Sequence, residues 1–126
     1  METLNAAVLS ELQSFMDEDE FVAFMESAKH KLQHQGPLLL AYLTDHRSDE
    51  ARRLAHRLKG TMGSLGCDRL AATLNIFEQE LRQSPPLRPQ AQCTAELELT
   101  IQATLSALQQ RCEFLAKRTW WSSSQP

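Results

Sequence analysis

Apolar residues in this chain return every three or four positions over most of its length, and that period admits helices and little else. Phe21, Phe24, Met25, Ala28 and Leu32 fall at i, i+3, i+4, i+7 and i+11. Leu70, Leu74, Phe77 and Leu81 keep the same period, as do Leu97, Ile101, Leu105, Leu108, Cys112 and Leu115. Nowhere do apolar and polar residues alternate convincingly, as a half-buried strand requires. Leu, Ala, Gln and Glu, all helix-forming residues, are abundant, and the 126 residues suffice for one domain with a single core.

The punctuation divides this helical material. A first short helix spans 3 to about 15, with Leu4, Val8, Leu12 and Phe15 on one side. Asp17 with Glu20 forms a capping box that opens the second. Gly36-Pro37 interrupts or kinks it, with Pro37 as first residue of a continuing segment. Ser48, followed by Asp49 and Glu50, starts the next helix, which ends near Gly66, a suitable C′ residue. Asp68 caps a further helix, and SPPLRP at 84–89 is the clearest loop. A long last helix follows, then a frayed tail at 120–126 on which Trp120 and Trp121 pack against the bundle end. The domain is therefore set at 1–119. Helices of this length joined by short connections predict an all-α, antiparallel up-down bundle.

Composition removes several function classes. A net charge of −3 argues against a nucleic-acid binder held by general electrostatics. No apolar run approaches the roughly 20 residues of a membrane span, and METLNAAVLSEL lacks the basic flank of a signal peptide. Cys67, Cys93 and Cys112 lack metal-ligand spacing and read as reduced thiols of a cytosolic protein. His30 and His34 have i, i+4 spacing without a completing ligand, so they read as a surface pair and no metal is expected. His46 has no special context.

The helix over 48–66 is different. On a wheel of about 100° per residue, Ala51, Leu54, Ala55, Leu58, Met62 and Leu65 share one face, which points into the core. His56 lies about 150° from the centre of that face, with Gly60 and Gly63 one and two turns along on its own side. Interior glycines cost roughly 1 kcal/mol each against alanine. Bare backbone there lets another surface reach the imidazole. Lys59 lies at i+3, and Arg52 and Arg53 one turn before, although these two arginines taken singly read as a solvated charged face. Positive charge around an exposed imidazole suits a phosphoryl group, which brings about two negative charges, and neutral imidazole is a competent nucleophile.

His56-Arg57-Leu58-Lys59-Gly60, followed by Gly63 and Gly66, resembles the signature of histidine-containing phosphotransfer (HPt) domains of bacterial multistep phosphorelays. Ala55, Leu65-Gly66 and the leucine-rich helix that follows belong to the same pattern. The resemblance implies a four-helix bundle with an additional short N-terminal helix. It also implies that His56 takes a phosphoryl group from a receiver-domain aspartate and passes it to another response-regulator receiver, or returns it. Lys59 matches the family's basic residue beside the phosphohistidine, Gly60 its access glycine, and Glu78 a polar residue able to orient the imidazole. Arg52, Arg53, Gly60, Gly63 and Ser64 form the expected partner face; Gly66 suits helix termination as well as access. Thr61 and Met62 depart from the family's small residues, but the wheel sends Met62 into the core. No cofactor is expected on this chain; Mg²⁺ belongs to the partner receiver. The implied protein is a cytoplasmic monomer, free or the C-terminal module of a hybrid sensor kinase tethered to the inner membrane. Two alternatives remain: a partner-binding bundle with a non-functional histidine, or the dimerisation and phosphoacceptor region of a sensor kinase. Arg57 and Gly60 stand where that second family has an acidic residue and a proline.

Overall fold

In a computed structural model of the chain, the backbone of residues 2–83 and 90–124 and the side chains of 2–83 and 91–115 are described. The described residues form five helices and no strand: α1 Ala6–Phe15, α2 Glu18–Thr44, α3 Ser48–Ser64, α4 Asp68–Glu80 and α5 Gln90–Ser124. Each of α2 to α5 packs on two others, α2 on α3 and α5, α4 on α3 and α5, while α1 lies against α2. The expected loop at 84–89 and the expected packing of Trp120 and Trp121 fall outside the described residues. The backbone of α5 is helical to Ser124, where a frayed tail was expected from 120.

The heptad-like stripes become the core. Phe21, Met25, Leu32, Leu39, Leu54, Leu58, Met62, Leu70, Leu74, Phe77, Leu97, Ile101 and Leu108 are all buried in one cluster. Cys67, Cys93 and Cys112 are buried and form no disulfide, and burial pushes the Cys67 thiol up to about 12.

Several element boundaries differ from the sequence expectation. α1 begins at Ala6, because Asn5 accepts from the backbone N–H of Ala7 and Val8 and caps it. Asp17 does cap α2, accepting from the Glu20 N–H at 2.8 Å. Gly36-Pro37 does not interrupt α2, which runs through Pro37 to Thr44. A proline inside a helix costs about 3 kcal/mol or more, yet Leu32, Leu39 and Leu43 on both sides of it are buried. Gly36 is buried too, and a Cβ there would stand 3.2 Å from Ile101 Cγ2, so α5 packs closely on α2 at this position. α3 starts at Ser48 as expected, while Asp68 is the first residue of α4 and not its cap; Arg47 and Cys67 occupy the cap positions without a side-chain capping bond. Asp68 instead accepts from the Asn5 amide at 2.8 Å.

α2 and α3 end in the same way. After α3, the N–H of Gly66 bonds Gly63 O and the N–H of Cys67 bonds Met62 O, which is the Schellman pattern, with Gly66 at φ +87°. After α2, His46 N–H bonds Leu43 O and Arg47 N–H bonds Tyr42 O. There His46, at φ +59°, fills the left-handed position that glycine usually takes.

Candidate functional site

α3 presents its apolar face inward as the wheel requires: Ala51, Leu54, Ala55, Leu58 and Met62 are buried. The opposite face is thereby left outside, and the His56 side chain is 65% exposed. A Cβ added at Gly60 would meet nothing within 4 Å, so the approach beside the ring is open.

The two flanks of this ridge belong to different neighbours. On one side Thr61 contacts α2, where Lys31 Nζ donates to Thr61 Oγ1 at 3.4 Å. On the other side α3 meets α4 in a fixed register. Counted outward from the corner at 65–67, Gly63 stands opposite Ala71, Lys59 opposite Asn75 and His56 opposite Glu78. Gly63 therefore differs from expectation: a Cβ there would touch Ala71 Cβ at 3.7 Å, so it serves the α3–α4 contact as well as the exposed face. Gly66 is buried at the corner, where a Cβ would come within 3.1 Å of Val8 Cβ, and its carbonyl accepts the Asn5 N–H at 2.8 Å. That settles Gly66 as helix termination and close packing of α1, not access.

The Glu78 carboxylate organises the centre. Glu78 is 4% exposed, yet an ammonium, a guanidinium and an imidazole reach it. His56 Nδ1 lies 2.8 Å from Oε1, Lys59 Nζ donates to Oε2 at 2.7 Å, and Arg82 Nη2 donates to Oε1 at 3.2 Å. Lys59 also donates to Asn75 Oδ1 at 3.3 Å. The Lys59 ammonium above all, then the His56 ring, hold the Glu78 carboxyl below its ordinary value, against the opposing effect of burial. An ionised carboxylate only accepts, so the proton of the His56 contact sits on Nδ1. In the neutral ring the lone pair is then on Nε2, the nitrogen turned away from Glu78. The arrangement offers one nucleophilic nitrogen to solvent with its tautomer fixed from behind.

Arg52, Arg53, His56, Arg57, Glu78 and Arg82 line a shallow open groove. Arg52 is half-buried and Arg53 exposed; Ser64 is exposed, with its hydroxyl turned back onto Gly60 O at 2.8 Å. Asn75, Arg57 and Arg82 were not anticipated. The i, i+4 spacing of Glu78 and Arg82 was the available signal for one of them. Among the described residues no cluster of three metal-ligating side chains occurs, and no helix is long and apolar enough to cross a membrane.

Comparison with known proteins gives two matches. A family model described as "Hpt domain" matches residues 7–111. The crystal structure of histidine-containing phosphotransfer protein B (HptB) from Pseudomonas aeruginosa PAO1 superposes with a TM-score of 0.78 at 22% identity, covering 88% of this chain and 95% of that one. No curated protein matches in sequence.

Proposed function

The chain belongs to the Hpt domain family of phosphorelay histidine carriers, and from that premise we propose that His56 is the residue that carries the phosphoryl group. The lone pair of Nε2 attacks phosphorus of a receiver's aspartyl phosphate, the P–O bond breaks, and the aspartate leaves as carboxylate. The Nδ1 proton stays, so the phosphorylated ring is cationic, and the Glu78 carboxylate beside Nδ1 stabilises that charge. Reversal onto another receiver's aspartate completes the relay. Lys59 assists by pairing with phosphoryl oxygens, while Arg52, Arg53, Gly60, Gly63 and Ser64 face the visiting receiver.

The observation that carries this reading is the pairing of an exposed imidazole with a buried carboxylate at 2.8 Å, beside a glycine with open space in front of it. Helix contacts in a closed cycle, with three-residue connections at 45–47 and 65–67, support an antiparallel up-down four-helix bundle. We place the protein in the cytoplasm as a monomer, free or within a hybrid sensor, with Mg²⁺ on the receiver and no kinase activity of its own.

Incubation with a phosphorylated receiver tests this. Acid-labile, alkali-stable label on the parent, lost in His56→Gln, is the expected result. Binding of receivers without label would favour a docking bundle with a non-functional histidine. Label from ATP alone would favour a kinase fragment.

A further inference from the structure

Lys59 has two claims on its ammonium. It is the hydrogen-bond donor to Glu78 Oε2, and the phosphoryl group on Nε2 needs a cation nearby. One ammonium leaving Glu78 for the phosphoryl oxygens strips Oε2 of that donor. The Glu78 side chain is only 5% exposed, so water replaces the lost bond poorly, and an unpaired buried carboxylate is costly.

Arg82 stands ready at the same carboxylate. It lies one turn beyond Glu78, already donates to Oε1 at 3.2 Å, and keeps 59% of its side chain exposed. Its fork of donors matches both oxygens of a carboxylate, which an ammonium cannot do. Arg52, Arg53 and Arg57 line the groove, but among the described residues the side chains that reach Glu78 are the His56 ring and the cations Lys59 and Arg82.

We propose that Arg82 is a positioning residue that takes over Glu78 when Lys59 turns to the phosphoryl group, so that Glu78 keeps the Nδ1 proton of His56 in place throughout the relay. This rests on the assignment of His56 as the phosphoryl carrier. Before phosphorylation, Lys59 and Arg82 share the carboxylate; afterwards Arg82 holds it and Lys59 is released.

The full chain phosphorylated with phosphoramidate tests this without any partner protein. In that reaction Nε2 bonds to phosphorus, the P–N bond of the donor breaks, and ammonia leaves. The readouts are ¹⁵N signals of the His56 ring before phosphorylation and the hydrolysis rate of the phosphohistidine afterwards. Arg82→Ala should leave the Nδ1–H tautomer of the free protein unchanged, because Lys59 still holds Glu78. It should speed hydrolysis up to roughly fivefold, because Glu78 draws Lys59 back and the phosphoryl oxygens lose their counter-charge. Arg82→Lys should recover part of the loss. In a Lys59→Ala background Arg82→Ala should add nothing, since there is no lysine left to release. Equal hydrolysis in parent and Arg82→Ala, or an equal acceleration in the Lys59→Ala background, would overturn the handover. A parent that takes no label on His56 would instead defeat the carrier assignment and this inference with it.

Discussion

Gly60 and Gly63 stand one turn apart on α3, yet a side chain at the first would enter open space and one at the second would touch Ala71. The two glycines therefore answer to different constraints. Gly60→Ala should raise stability by up to about 1 kcal/mol, the usual helix-interior gain, measured by urea unfolding. Gly60→Glu should fold and yet block transfer from a receiver, because its side chain projects beside the ring. Normal transfer by that variant would remove the access argument.

Lys59→Ala should slow phosphotransfer roughly ten- to a hundredfold while weakening receiver binding much less. Rapid-quench transfer kinetics and a binding titration separate the two. Loss of binding in proportion to rate would make Lys59 a docking residue only.

The corners after α2 and α3 use one hydrogen-bond pattern with opposite residue choices, His46 at φ +59° and Gly66 at φ +87°. Replacing a side chain by hydrogen in the left-handed region recovers about 1 kcal/mol. His46→Gly should thus stabilise the protein by that order. Gly66→Ala should destabilise it by at least 1–2 kcal/mol or so, with the crowding against Val8 added. Thermal unfolding of both variants reads the two signs.

Glu78 is held below the ordinary carboxylate value in the folded protein, so it binds fewer protons there than in the unfolded chain. Its contribution is complete above the unfolded value of about 4 and fades as pH falls through the lower folded value. Parent and Glu78→Gln should accordingly differ most in stability near neutral pH and converge below about pH 4. Denaturant midpoints across that range test it; a gap that widens in acid would contradict the pairing.

Much of this was legible in the sequence, and the exceptions share a cause. The inner face of α3, the capping role of Asp17 and the termination at Gly66 follow from local spacing, since helix period and cap chemistry act within a few residues. The continuity of α2 through Pro37 was not legible, because burial on both sides of the proline outweighs its local penalty. Nor was the cap position at Cys67, where Asp68 is drawn to Asn5, distant in sequence. At the site, the exposure of His56 could be read from a wheel. The contest of His56, Lys59 and Arg82 for one carboxylate required the packing of α4 on α3.

That packing has a consequence for how such a chain can vary. His56 faces Glu78 because both are counted off from the same three-residue corner, as notches are matched on a folded rule. One residue inserted in the first turn of α4 would rotate the rest of that helix by about 100° and swing its carboxylate away from the ring. The leucines of α4 would leave the core in the same movement. The number of residues between this bend and Glu78 is thus locked to the chemistry, and insertions that preserve the relay chemistry fall outside that stretch.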